Sequence, residues 1–330
     1  MSAVILPPEW NARENEITPE SVYQNRREFL KTMGIAGLGI AGALYAGPAF
    51  AGGGKSLKEL LFGRGQSLRT EFEEVAGLRR NAAFTVDRPI SDEKAALTYN
   101  NFYEFTSVKE GVWKLIDGFK SRPWQVEIAG HVEKPGTFDV DDLIRSLPVE
   151  ERVYRHRCVE RWAMVVPWNG FPMRALIEKF RPTSKARFVR FVSFMDPEVA
   201  PGQKLQSHLP WPYNEGLTLA EAMNELTFVA TGVYGHTLPV QHGAPLRIVT
   251  PWKYGYKSIK SIVKIEFTEQ QPATFWSTLV PHEYPFESNV DPDVPHPRWS
   301  QRSEKMIGTG DVFATKKYNG YGKWVAGLYS

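Results

Sequence analysis

A single cysteine, Cys158, in 330 residues leaves this chain without an intrachain disulfide, a paired-cysteine zinc site or an iron–sulfur cluster of its own. The seven histidines (His131, His156, His208, His236, His242, His282 and His296) form no HxH or HExxH spacing, so a zinc-hydrolase site lacks its usual pattern. GxSxG and GxxxxGK[ST] are missing, as is a heme-attaching CxxCH, and no GxGxxG follows a strand to open a helix, the one such run, Gly37–Gly42, lying in the glycine-rich N-terminal stretch. Serine-hydrolase, P-loop and dinucleotide-binding readings therefore have no support. A net charge of only +3 does not argue for nucleic acid.

What is present describes a globular chain. Hydrophobic residues at 42% and charged residues at 23% exclude wholesale disorder. Glycine (27) and proline (24) exceed the usual combined share of roughly 12%, which favours a turn-rich, strand-containing fold over a helical bundle. Ten tryptophans imply a thick core or an aromatic-walled pocket.

The first 51 residues read as an export leader. Arg26-Arg27 precede an uncharged, glycine-rich stretch that closes on Ala49-Phe50-Ala51, an A-x-A cleavage pattern. Asn25 stands where Ser or Thr is usual before the pair. A transmembrane anchor is the competing reading, but Gly34, Gly37, Gly39 and Gly42 weaken both helix and hydrophobicity, and Pro48 interrupts the end. The expectation is a cleaved twin-arginine signal over 1–51 and one domain over 52–330, exported to the periplasm.

Along that domain, residues 55–98 carry no clear fold signal. Trp124, Val126 and Ile128 alternate as a half-buried strand, and Lys134-Pro135-Gly136 makes a turn. Asp139 or Asp141 is placed to cap a helix through Leu147. Arg152–Cys158 and Arg187–Phe194 read as strands, Met173–Phe180 as a helix, and Leu219–Leu226 as a helix capped by Thr218. Ile259, Ile262, Ile265 and Phe267 indicate a further strand, and residues 270–330 are aromatic and loop-rich. The fold class expected is α+β, with mixed β-sheets and short helices.

Three segments can carry chemistry. Cys158 lies among Arg155, His156, Arg157 and Arg161, a cationic field that favours a thiolate, hence a nucleophile or soft-metal ligand. The opposing reading is an inert core cysteine. Glu160, two residues on, projects to the same face if the segment is extended, to orient a proton or to pair with an arginine. From Gly232 to Lys264, His236, His242, Arg247, Lys253, Lys257, Lys260 and Lys264 lie among glycines. They are either a phosphate-holding backbone or a solvated basic face. Residues 99–105 offer asparagines to a heterocycle edge, or simply form a turn followed by a strand.

Together these segments resemble a known family. Asn100-Asn101-Phe102-Tyr103-Glu104-Phe105, Arg157-Cys158-Val159-Glu160, Val166-Pro167-Trp168, Gly243-Ala244-Pro245-Leu246-Arg247 and the run from Pro251 to Lys260 are similar to the catalytic subunits of periplasmic protein-methionine-sulfoxide reductases. That family binds molybdopterin and has the sulfite oxidase fold. The resemblance implies a molybdenum–molybdopterin cofactor with Cys158 as catalytic residue and protein ligand to the metal. Asn100, Tyr103, Glu104, Ser193, His242, Arg247, Ser258, Ile259 and Lys260 would contact the pterin or its phosphate. Ser193 falls where the family commonly has Thr, and His242 where it has Asn. It further implies reduction of methionine sulfoxide in oxidised periplasmic proteins by oxygen-atom transfer. A monomeric catalytic subunit would take electrons from a heme-containing membrane subunit (MsrQ). The alternatives are a sulfite dehydrogenase of the same fold, or an exported binding protein without redox chemistry.

Overall fold

The computed structural model describes Leu61, residues 67–69 and residues 72–330. The leader with Arg26, Arg27 and the A-x-A pattern lies outside the described residues. Where the sequence carries no fold signal, Asp92 accepts from the Ala95 amide and starts α1 (Glu93–Thr98), which buries Ala96 and Leu97. A six-residue helix is too short to show a 3.6-residue period.

The Trp124–Ile128 alternation produces β1 (Gln125–Gly130), with Val126 and Ile128 fully buried. The Lys134-Pro135-Gly136 turn brings back β2 (Gly136–Asp139) antiparallel to it. Asp139 caps α2 (Val140–Arg145) through the amides of Asp141 and Asp142. This helix stops short of Leu147 because the Ser146 hydroxyl takes the Leu143 carbonyl at 2.8 Å.

β3 (Glu150–Arg157) and β4 (Trp162–Pro172) form a long hairpin, almost wholly buried. α3 (Met173–Phe180) matches the expected helix and ends at Arg181, whose φ of 53° is left-handed. After β5 (Phe188–Ser193), a short α4 (Pro201–Leu205) leads to β6 (Asn214–Thr218). Thr218 and Glu221 make a reciprocal capping box for α5 (Leu219–Met223). α5 is shorter than the expected Leu219–Leu226, because Asn224 is extended (φ −62°, ψ 143°) and its Oδ1 accepts from the Leu226 amide at 3.0 Å.

The rest are β7 (Phe228–Val233), β8 (His236–Thr237), β9 (Arg247–Val249), β10 (Ile262–Thr268), α6 (Phe275–Leu279), β11 (Ser303–Met306), β12 (Val312–Ala314) and α7 (Gly322–Val325). Ile259 is not part of β10, since Ser261 turns left-handed (φ 46°) ahead of it.

Two mixed sheets result. One has the order β2-β1-β10-β5-β6, and the other runs β12-β11-β4-β7-β8, with β3 on β4 and β9 on β7. Among the described residues strands outnumber α-helices, as an α+β chain requires. No described helix is long and apolar enough to cross a membrane.

One core cluster bears directly on function. Phe102 and Phe105 pack with Leu61, Val112, Leu115, Phe119, Phe194 and Ala200. Burying each ring contributes about 1.5–3 kcal/mol, so the loop between α1 and the 3-10 turn Lys109–Lys114 is anchored by its aromatics. Its polar residues, Asn100, Asn101, Tyr103 and Glu104, are then held in place. This loop is a turn closed by the Phe105 amide on the Phe102 carbonyl at 3.0 Å, and no strand follows it. Gly202 of α4 seals its other side, because a Cβ there would meet the Tyr103 carbonyl oxygen at 2.0 Å.

Candidate active site

Cys158 lies one residue past the end of β3, short of the expected strand end, and opens the turn to β4. Its amide donates to the Trp162 carbonyl at 2.9 Å, and the Arg161 amide donates to the Cys158 carbonyl at 3.0 Å. Arg161 takes a left-handed φ of 74°, a cost that a tight hairpin turn here sustains. The segment is therefore a turn, not the extended chain expected for Glu160. The turn still brings Glu160 to the sulfur: its amide lies 3.4 Å and its Oε2 3.6 Å from Cys158 Sγ. Asn101 Nδ2 donates to Sγ at 3.3 Å and to Glu160 Oε2 at 2.9 Å.

The arginine field expected around Cys158 is largely spent elsewhere, although Arg157 also donates to the Cys158 carbonyl. Arg155 pairs with Asp87 and reaches the Asn319 carbonyl. Arg157 bonds Glu304 at 3.1 Å and Gln301 Oε1 at 2.9 Å, and Arg161 reaches Ser303. With those charges engaged, burial pushes the Cys158 thiol up, and Glu160 adds to the rise. The protein alone thus favours the thiol. A bound metal cation would supply the missing charge, since a coordinating thiol is deprotonated outright. Nor is Glu160 paired with an arginine, for its Oε1 meets Lys109 Nζ at 3.1 Å.

The basic stretch 232–264 divides once folded. Lys253 is buried against Glu221 at 2.5 Å, and Lys257 against Glu215 at 2.7 Å. His236 meets Glu93 at 2.5 Å, and Lys264 lies 3.3 Å from Glu127. These four are neither phosphate ligands nor a bare solvated face. His242, Arg247 and Lys260 remain, and they converge. Arg247 donates to the His242 and Ser258 carbonyls, both at 2.9 Å. Lys260 Nζ donates to the Asn101 carbonyl at 2.7 Å, joining this group to the loop of Asn100. Gly243, at φ 100°, permits the approach, since a Cβ there would meet Lys260 Cβ at 2.5 Å.

His156 of β3 completes the basic group. Burial, then Arg247 and Lys260, hold its imidazole well below the usual histidine value, and the same influences act on His242. Burial lowers Arg247 to about 9. Burial and Arg247 lower Lys260, while burial raises the Glu104 carboxyl, which the Lys260 charge and the Ser193 hydroxyl temper. Tyr103 also adjoins the centre, within the electrostatic reach of Glu160 and Cys158, and its ring meets Trp276 edge-on at 5.3 Å. Ile259 offers backbone only, its carbonyl accepting from the Ile248 amide at 3.0 Å.

These residues fit a polar, anionic cofactor. Asn100 Oδ1 and His242 Nε2 are buried without a hydrogen-bond partner, and leaving a buried polar group unpaired costs about 1–3 kcal/mol. A cofactor edge that hydrogen-bonds them removes that cost. His156, His242, Arg247 and Lys260 lie within one another's electrostatic reach, with the Glu104 carboxyl beside Lys260, and this concentration of donors suits a phosphate. The donor set also fits: among the described residues no three His, Cys, Asp or Glu side chains are grouped to hold a metal. Cys158 could give one soft ligand, and a cofactor that brings its own sulfur ligands, such as a pterin dithiolene, would suit this site.

Lys109 escaped the sequence reading, and so did the contact of Asn101 with Cys158 Sγ. Asn101 was visible as the second half of the Asn-Asn pair, whereas nothing local marks Lys109. The loop-rich tail also contributes, because Trp299 and Gln301 both donate to the Val159 carbonyl at 2.8 Å and brace the Cys158 turn.

A fold of mixed sheets with one cysteine beside a buried basic cradle defines the class, and residues 114–276 match the oxidoreductase molybdopterin binding domain family. The chain is an oxidoreductase that binds molybdopterin. It is 44% identical over 324 residues, covering 96% of this chain and 92% of the relative, to the protein-methionine-sulfoxide reductase catalytic subunit MsrP of Burkholderia mallei. The chain belongs to this MsrP family of catalytic subunits. Among solved structures, the sulfane dehydrogenase SoxCD of Paracoccus pantotrophus is similar over 70% of this chain and 55% of its own, at 13% identity and a TM-score of 0.43.

Proposed function

We propose that this chain reduces methionine sulfoxide in oxidised periplasmic proteins, as the catalytic subunit of a molybdenum–molybdopterin enzyme. It is exported by the twin-arginine pathway and takes electrons from a heme-containing membrane subunit (MsrQ). The observation that carries the reading is the meeting of Cys158 with the His156, His242, Arg247 and Lys260 cradle through Asn101. When bound, the molybdenum–pterin group would supply the two electrons that reduce the sulfoxide to the thioether. Cys158 would ligate the metal. Asn100, His242 and Glu104 would hydrogen-bond the pterin, and Arg247 and Lys260, with the Ser258–Lys260 backbone, would hold its phosphate. Asn101 orients both the cysteine sulfur and Glu160. The surrounding burial keeps bulk water from the sulfur, whose residue is only 3% exposed. The absence of CxxCH and of a second thiol supports an outside electron donor rather than a thiol relay.

The test uses the purified, molybdenum-loaded protein with an artificial electron donor and a methionine-sulfoxide peptide. Molybdenum near one per chain, with conversion of sulfoxide to thioether, is the expected result. Cys158→Ser should stay folded, lose or alter the metal, and lose reduction, because a serine oxygen is a hard and far less acidic ligand. Near-normal reduction by Cys158→Ser would remove the thiolate from the mechanism. Sulfite oxidation with no sulfoxide reduction would reassign the activity.

A further inference from the structure

The solvent side of the Cys158 turn carries an ion pair that cofactor binding does not use. Lys109 begins the 3-10 turn Lys109–Lys114, and its Nζ lies 3.1 Å from Glu160 Oε1. The other oxygen of the same carboxylate lies 3.6 Å from Cys158 Sγ. One carboxylate thus spans the distance from the ammonium to the sulfur. The backbone of Lys109 is fixed as well, its carbonyl accepting from the Asn100 amide at 3.1 Å. The Lys109 and Glu160 side chains are 17% and 23% exposed, whereas Cys158 is buried. The pair therefore stands between the sulfur and water.

The chemistry of the substrate makes this arrangement informative. A sulfoxide presents a strongly polarised oxygen that only accepts hydrogen bonds. An ionised carboxylate beside the reacting position also only accepts, so Glu160 alone would repel that oxygen. The Asn101 amide is already directed at Glu160 and Sγ. Lys109 has three donors, of which Glu160 takes one. The thioether product, by contrast, offers only a weakly accepting sulfur.

We propose that Lys109 is a substrate-binding residue whose ammonium, held in place by Glu160, donates a hydrogen bond to the sulfoxide oxygen of an oxidised methionine side chain at Cys158. This rests on sulfoxide reduction being the activity. Lys109 then distinguishes substrate from product, gripping the sulfoxide and releasing the thioether.

The competing account is that Lys109 only neutralises Glu160. The two are separated with two non-reacting ligands of the molybdenum-loaded enzyme, a methionine-sulfone peptide and the same peptide with plain methionine. Inhibition constants are measured per bound molybdenum for the wild type, Lys109→Met and Lys109→Arg, and calorimetric titration repeats the comparison without turnover. Lys109→Met should weaken the sulfone peptide about tenfold, the range of a partly exposed charged hydrogen bond. The methionine peptide should be unaffected, and Lys109→Arg should recover part of the loss. Equal changes for both peptides, or no change for either, would overturn the proposal. If the loaded wild type reduces no sulfoxide, the activity reading fails first. Sulfoxide turnover with an unchanged sulfone constant in Lys109→Met defeats the Lys109 role alone.

Discussion

Arg247 is the group whose removal separates support of the fold from retention of the cofactor. It is 2% exposed and ties two segments together by donating to the His242 and Ser258 carbonyls at 2.9 Å. Its guanidinium carbon also lies 4.9 Å from the centre of the Trp168 ring. Arg247→Ala leaves two buried carbonyls unpaired, at about 1–3 kcal/mol each. Against this, the variant relieves the desolvation that lowers the guanidinium to about 9. The net loss should fall at the low end, about 2–3 kcal/mol. For domains of 150–250 residues each kcal/mol shifts Tm by about 2–4 °C, so a drop of about 4–12 °C is expected. The assay is thermal unfolding of cofactor-free protein from molybdopterin-deficient cells, beside molybdenum content of the loaded form. Arg247→Lys keeps the charge but not the planar fork, so it should retain more cofactor than the alanine variant while melting below the wild type. If cofactor-free Arg247→Ala melts within a degree of the wild type, Arg247 does not clamp the two segments and acts on the cofactor alone.

Three further expectations follow from the same reasoning. His242 is held well below 6.5 by burial and by Arg247, so the unfolded chain binds the extra proton as pH falls below about 6.5. Stability is therefore present above that pH and lost below it, at up to about 1.4 kcal/mol per pH unit. Cofactor-free His242→Asn should flatten this slope by one proton between pH 6.5 and 5, as read by denaturant titration at each pH, and an unchanged slope refutes the assignment. Lys253→Met should cost about 3–5 kcal/mol, because it strands the buried Glu221 carboxylate, whereas Lys253→Met combined with Glu221→Leu should recover most of it. A double variant no more stable than Lys253→Met alone would show that the pair is not the source of the loss. Changing Arg26 and Arg27 together to Lys keeps charge but loses both planar forks, so precursor should accumulate in the cytoplasm, and normal periplasmic accumulation sinks the twin-arginine reading.

Local signals carried most of the architecture. The period-2 pattern at Trp124–Ile128, the Asp139 and Thr218 caps and the apolar face of Met173–Phe180 all act within a few residues, and each element forms where its signal stands. The errors are also local in kind but tertiary in cause. The helix after Thr218 ends early because Asn224 finds partners in the Leu226 amide and, a hundred residues away, the Trp324 carbonyl at 3.0 Å. No window around Leu219 contains Trp324.

The site divides along the same line. The one cysteine and the Asn-Asn pair were legible because a residue type needed for soft-metal or heterocycle chemistry is scarce or repeated there. The charge state at Cys158 was not, because the three arginines beside it in sequence are engaged by Asp87, Glu304 and Ser303, and Arg157, which also reaches the Cys158 carbonyl, does not outweigh burial. Lys253, Lys257 and Lys260 make the point most sharply. In sequence they are equivalent cations in one glycine-rich run. Folding gives Lys253 to Glu221 and Lys257 to Glu215, carboxylates more than thirty residues upstream, while Lys260 is turned to the Asn101 carbonyl. A buried cation already matched by a buried carboxylate has little field left for a ligand. Lys260, held by a neutral carbonyl and lowered by burial and by Arg247 against the through-space pull of Glu104, still has its charge to be satisfied by an anion. The placement of two distant glutamates therefore decides which lysine of the run can hold a phosphate, and a Lys260→Met variant should lose cofactor where a Lys257→Met variant loses stability instead. Equal molybdenum loss from both would show that the buried ion pairs do not make this division.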